Sequence, residues 1–468
     1  MKISLSVLLP FLICAVLPHP YAVSQEPSIT LKKQINIHRD PMNLAELTQL
    51  ALKQNPGLQA ARIAIDVSDQ EILAAKGEQF GRINFDVADF TYGPISIPRL
   101  GKSVVLDQKQ TNSPPDREFN NNIFSFGGSI TIPIYTGGRI TNQIKLEKLG
   151  RELAANRLAQ TRDELIFNVA SVYYNILKLK DFIRATRKSK EQLLESKRVV
   201  QQRFNEGKVA RVDTFKVNTR LAEVEQILIR FLNAQEILYG LLDVLLGEEA
   251  GRPKTTISGD LRISSQQLTQ KASLIQKYSL PEVQHQAFQH RPEILAAQKK
   301  LKMQEKKIRI RFAEHLPNIE LRGQVQGVAG DNSGLFPQVF AGIFLSVPLF
   351  SGGTIEAKVT GERLRYAKLD KELIQLKLQV TQEVHAAYLN TREAQQRITA
   401  AQVAVDESNE VLRIEALKVQ LGKSIIENLL DAQTAQLQAE QNFSAAVADY
   451  QIQLMALKKA IGMIEVEG

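Results

Sequence analysis

TIPIYTGGRI at residues 131–140 returns as SVPLFSGGTI at residues 346–355. Pro133 meets Pro348, and Gly137-Gly138 meets Gly352-Gly353, at an offset of 215 residues. The same offset aligns VQQRFNEGKVARVDTFK (200–216) with ALKVQLGKSIIENLLD (416–431) around Gly207 and Gly422, and Gly247 with Gly462. One offset held over so long a stretch marks an internal duplication, with a period too long for an ordinary solenoid.

The pattern changes period at each GG pair. After the first pair, Leu165, Val169, Val172, Ile176, Leu179 and Ile183 recur in steps of four and three. After the second, Val380, Val384, Ala387, Thr391, Ala394, Ile398, Ala401 and Val405 do the same. Such steps are the signature of supercoiled helices. No proline interrupts either run, which predicts long helices at 141–205 and 356–420, each about 100 Å at 1.5 Å per residue. Glycines 207 and 422 mark turns, and return helices follow at 212–246 and 425–461. Ile425, Leu429, Ala432, Ala439, Phe443, Ala446, Tyr450 and Leu457 form the apolar seam of the second, with Gln436 and Gln453 as polar exceptions.

Before each GG pair the period is two. IFSFGGSITIPIY alternates Phe124, Phe126, Ile130, Ile132 and Ile134 with small or polar residues. Strands are predicted at 82–92, 123–134, 319–328 and 339–349. The third alternates Ile319, Leu321, Gly323, Val325 and Gly327 with Glu320, Arg322, Gln324 and Gln326. Strands of about ten residues with one apolar side fit a membrane β-barrel with a wet interior. Four strands cannot close a spanning barrel, and lipid tolerates no open edge, so several chains must pool their strands. The GG pairs then let the chain swing from strand to helix.

The remaining chain fits around this frame. Residues 1–24 read as a secretory signal with Lys2 before an apolar run. Cys14, the only cysteine, lies within it, so no mature disulfide or thiolate metal site is expected. Residues 25–42 are an extended leader. Repeat one covers 43–247, opened by the capping box Asn43-Leu-Ala-Glu46, and repeat two covers 281–462. A linker at 248–280 joins them, with a short strand expected near 256–263, and 463–468 form a tail. Pro56 meets Pro292 at an offset of 236, so repeat one holds 21 additional residues, assigned to an irregular loop at 91–122. The chain of 468 residues carries a net charge of +9. No compact basic–aromatic cluster points to nucleic acid. No nucleophile triad, paired-carboxylate pocket or phosphate-cradling glycine loop points to an enzyme, and no cofactor is implied.

The GG junctions, the RFNEGKVARVDTF and LGKSIIENLLDAQTAQL turns, the NPGL and RPEI joints and the duplication together resemble the TolC-like outer membrane efflux proteins over about 44–462. The resemblance implies a homotrimer: a twelve-stranded barrel in outer-membrane lipid continued by a twelve-helix periplasmic tunnel. It implies a passive exit duct for small molecules, opened by a periplasmic adaptor and driven by an inner-membrane pump, proton-driven or ABC-type. It places a periplasmic gate at Ser424, Asn428 and Asp431, with Asp213 on the first tip. Asn428 stands where the family often carries a second aspartate, Val419 where it carries a tyrosine, and Ser424 where it carries an arginine. Phe204, Gly207, Lys208, Arg211, Val419, Gly422 and Lys423 are the implied docking tips for the adaptor. Asp431 repeated around a narrow axis would be a ring of like charge that attracts cations. Two other readings use the same residues. One is the outer-membrane component of type I protein secretion; the other is a coiled-coil scaffold with two β-hairpins.

Overall fold

The protein, seen in a computed structural model, is described over residues 41–91, 122–249, 256–261, 279–330 and 333–465. Four antiparallel strands form one sheet in chain order: β1 (Arg82–Thr91), β2 (Asn122–Tyr135), β3 (Asn318–Gly330) and β4 (Ser333–Ser346). Its register sorts side chains into two faces. Ile83, Ile130, Gly323 and Ala341 form one row, and Phe85, Gly128, Val325 and Val339 the next. Opposite them lie rows such as Arg82, Thr131, Arg322 and Gly342, and Asn84, Ser129, Gln324 and Phe340. The apolar face is bare in the single chain: Ile83 is 80% exposed, Val339 72% and Ile343 70%. Large residues lean over glycines across strands, as Phe126 does over Gly327, where an added Cβ would stand 2.8 Å from the ring.

The fourth strand differs from expectation. It runs Ser333–Ser346, not 339–349. The alternation continues upstream through Leu335 and Pro337, and pairing with β3 reaches Gly330 opposite Ser333. At the other end Pro348 has no N–H for the ladder and biases Val347, so pairing stops at Ser346. Pro133 is accommodated within β2 beside a register shift between Pro133 and Tyr135. The expected strand near 256–263 is a single parallel bridge between Ile257 and Met42. The signal, the leader up to residue 40, and the loop at 92–121 lie outside the described residues.

Short helices enter the sheet and long ones leave it. α1 (Leu44–Gln54) and α2 (Pro56–Gly77) lead to β1; α3 (Arg139–Asn205) leaves β2, turns, and returns as α4 (Arg211–Leu246). α5 (Leu280–His290) and α6 (Pro292–Phe312) lead to β3; α7 (Thr354–Gln420) leaves β4 and returns as α8 (Ile426–Ala460). α3 and α7 each hold 67 residues, about 100 Å. Beside the sheet the packing order is α2, α3, α6, α7, which repeats the strand order. Farther down it is α4, α3, α8, α7. No described helix is long and apolar enough to cross a membrane.

Both long helices start from two successive left-handed glycines, Gly137 and Gly138 (φ 63° and 80°) and Gly352 and Gly353 (φ 61° and 77°). Two such residues reverse the chain within one step, a conformation costly to any residue with a Cβ. In the first copy the turn also packs against the end of α6, leaving 2.8 Å between a Cβ at Gly137 and Leu316.

The duplication repeats down to its joints. Asn43 caps α1 through Glu46 at 2.9 Å in both directions, and Ser279 with Glu282 caps α5 in the same way. Gly247 ends α4 against Gln54 and Pro56, and Gly462 follows α8 against His290 and Arg291. The copies part at the second cap. Asn55 donates to Leu245 O at 3.0 Å, whereas its counterpart Arg291 is buried between Glu293 (3.3 Å) and Glu383 (2.6 Å). Leu47, Ala51, Val169, Ile176, Leu242 and Leu246 close the core around α1. Between α3 and α8 runs a polar seam: Gln441 on Thr186 (3.4 Å), Gln192 on Gln436 (3.4 Å) and Gln433 on Ser196 (3.1 Å). Polar groups buried in a helical seam fix register, because a slip would leave them unpaired.

Two predictions follow from this packing. Gly207 has φ 71° and nothing within 4 Å of an added Cβ, so Gly207→Ala costs about 1–2 kcal/mol, the strain of the left-handed conformation. Gly247→Ala and Gly462→Ala add a backbone collision at 2.7–2.8 Å and lower the thermal midpoint of the assembled protein further. Separately, burial pushes the Asp163 carboxyl from 3.8 up to about 6; Arg162 and Lys459 oppose this, and Glu293 and Glu164 add to it. The folded chain holds that proton more tightly than the unfolded one, so stability falls as pH rises from about 4 to about 6. Asp163→Asn therefore raises the thermal midpoint near pH 7.5 and leaves it unchanged near pH 4.

Candidate functional site at the helical tips

The far ends of the long helices close over an apolar core of Val200, Val217, Val224, Val419, Leu429 and Leu430. Val217 is fully buried, and Val419 is 4% exposed. Arg203 stitches the two tips together by donating to Val419 O at 2.8 Å and Gln420 O at 3.2 Å. Ion pairs between the return helices lie next to this core. Lys216 of α4 pairs with Glu427 of α8, and Arg220 reaches Asp431 at 3.4 Å and Glu223 at 2.9 Å. An open groove of about 410 Å³ runs along these groups between Phe215 and Leu430.

The predicted gate residues separate into two groups. Asn428 donates to Ser424 Oγ at 3.0 Å, and Ser424 donates to Glu415 at 2.7 Å, which also holds Lys418 at 2.7 Å. The Lys418 and Ser424 bonds hold the Glu415 carboxyl below its usual range. Asp431 lies one turn beyond, exposed and facing Arg220. Within the single chain it is thus an acid with a cation beside it. Asp213 sits half-buried in the first turn of α4.

The family pattern described as outer membrane efflux protein matches residues 47–248 and 283–463. The chain belongs to the outer membrane efflux protein family. It is 23% identical over 439 residues to the outer membrane protein TolC of Vibrio cholerae, covering 90% of this chain and 91% of that protein. It is 23% identical over 319 residues to the alkaline protease secretion protein AprF of Pseudomonas aeruginosa, covering 67% and 64%. The crystal structure of CusC superposes with a TM-score of 0.74 at 17% identity, over 90% of this chain and 92% of that one. The fold is therefore that of the TolC-like efflux proteins, strands and long helices together. The chain is an outer-membrane channel of efflux or secretion with a long periplasmic helical extension, and not an enzyme.

Within this efflux-family frame the predicted tip residues differ in access. Phe204, Lys208, Arg211 and Lys423 are exposed around the left-handed turns at Gly207 and Gly422. Lys208 pairs with Glu206 at 2.8 Å, and Arg211 lies 5.4 Å from the Phe215 ring. Val419 is buried beneath Arg203 and offers no surface to a partner. At the opposite extremity Pro133 lies two residues before the end of β2 and Pro348 two residues past the end of β4. The sequence reading missed Arg203, Lys216, Arg220 and Glu427. Their signal was present: Lys216 and Arg220 are one turn apart, as are Glu427 and Asp431, with opposite charge on paired return helices. It could be read only after α4 was placed beside α8.

The tip core and its ion pairs contribute unequally. Arg220→Ala removes a partly exposed pair and costs less than about 1 kcal/mol. Val217→Asp places a carboxylate where no water reaches and costs several kcal/mol. Thermal unfolding of the two variants, followed by circular dichroism, tests that order.

Proposed function

We propose that three copies close into a twelve-stranded barrel and a twelve-helix tunnel that serves as the passive exit duct of a tripartite efflux system for small molecules. The observation carrying this reading is the pair of unfinished sides on one chain. β1 and β4 are sheet edges whose outer hydrogen-bonding groups meet no strand among the described residues. Lipid offers those groups no substitute for a neighbouring strand. The helices below the same edges carry matching exposed apolar stripes. Ile63, Val67 and Leu73 lie on α2, Ile229, Ile237 and Val244 on α4, and Leu364, Leu378, Val403 and Val411 on α7. One sideways rotation brings β4 with α7 of one copy against β1 with α2 and α4 of the next. An interface of this kind closes into a ring when the rotation closes.

The constriction lies at the tips, where Lys216–Glu427 and Arg220–Asp431 hold α4 against α8 in the closed duct. The exposed turn residues Phe204, Lys208, Arg211 and Lys423 receive a periplasmic adaptor, which separates these pairs, and an inner-membrane pump supplies the energy. The relative named for alkaline protease secretion supports a second reading, type I protein secretion through the same duct with a different pump. The pump that co-purifies with the protein decides between them.

Reconstitution into planar bilayers tests the duct. Wild type should give small, uniform conductance steps. Lys216→Ala with Arg220→Ala should enlarge them, because the tips lose their cross-helix attraction. A protein recovered as a monomer from the soluble periplasmic fraction, with no conductance, would overturn the reading.

A further inference from the structure

Just below the sheet, α3, α6 and α7 enclose a cleft of about 560 Å³. α3 contributes Arg139 and Gln143, α6 contributes Lys307 and Arg311, and α7 contributes Arg365. Its acids are Glu314 and Glu362. Glu314 is shared by Arg311 (2.9 Å) and Lys358 (3.1 Å), Glu362 is held by Arg365 and Gln304, and Arg139 has Glu78 at 3.6 Å. Lys307 has no carboxylate within ion-pair reach among the described residues. Cations are therefore in excess, and they belong to a wider asymmetry. α6 holds seven lysines and arginines against two acids, a large part of the net charge of +9.

Arg139 opens α3 only four residues past the end of β2, so the cleft lies directly beneath the strands. Arg139 lies within the electrostatic reach of Glu320, which shares the sheet's polar face with Arg322.

We propose that this cleft is an anion-binding station on the wall of the bore, present once per protomer where tunnel meets barrel, and that the duct favours exported molecules bearing carboxylate or phosphate groups. The proposal rests on the channel reading above and names its substrate class. Guanidinium groups match both oxyanions in geometry, and several converge here with one ammonium free of internal pairing. A cleft of this volume holds a small polyanion. Low-dielectric walls lined by one sign of charge raise the local concentration of the opposite sign. The station would draw anions past the tip constriction and hold them loosely enough to leave through the barrel.

The test uses the purified full-length oligomer in bilayers of neutral phosphatidylcholine under a potassium chloride gradient, with citrate added from the barrel side as a polyanion probe. Citrate should block wild-type conductance. Lys307→Glu combined with Arg365→Glu should shift the reversal potential toward potassium and weaken the citrate block by roughly tenfold or more, as for loss of a charge-assisted contact. Lys307→Gln, an exposed single substitution, should move both readouts in the same direction and serves if the double variant does not assemble. Unchanged reversal potential and citrate affinity in the variants would overturn the proposal while leaving the channel intact. A wild-type protein with no conductance would remove the channel reading itself.

Discussion

Backbone amides and carbonyls in lipid must find partners within protein, and a four-stranded sheet leaves two rows of them exposed. The rest of this molecule is consistent with that single demand. The sheet's apolar rows are exposed on one face, its polar rows gather on the other, and both edges continue downward into helices with bare apolar stripes. The helix surfaces are charged and glutamine-rich, as suits water, while the open edges of the sheet would need further strands wherever they met lipid.

Duplication supplies the geometry economically. The same strand-to-helix reversal occurs twice, the same capping box starts both short helices, and a left-handed glycine ends or follows each return helix at the same joint. The copies differ at particular points besides the longer loop of the first. Asn55 caps with an amide where Arg291 spans two carboxylates, and the first GG turn is packed against α6 where the second faces open space. These departures from symmetry lie at the joints and junctions, positions where a channel that changes shape would need its two halves to respond differently.

Much of this was legible in the amino-acid sequence because both periodicities are strong and uninterrupted. The alternation of Phe124, Phe126, Ile130 and Ile132 fixed the face of β2, and the GG pairs located the start of both long helices. What failed was local. Val347 and Leu349 continue the alternation and so extend the expected strand to 349, but Pro348 has no N–H for the ladder and pairing ends at Ser346. Ile425 was assigned to the buried seam but caps α8 and is 62% exposed, with Ile426 buried in its stead. Gln436 looked like an exception in an apolar stripe; its partner Asn409, at 2.6 Å, sits 27 residues earlier on another helix. Charge pairing at the tips was unreadable for the same reason, since it joins residues about 211 positions apart.

If copies close into the proposed ring, the shared order of strands and helices gives each polypeptide a single vertical sector from the sheet to the tips. In the proposed ring no chain crosses into its neighbour's territory. A faulty copy would therefore spoil every level of the conduit along its own third, and a cell expressing defective and intact copies together would lose most of its working ducts. Such alleles should behave as dominant in mixed expression.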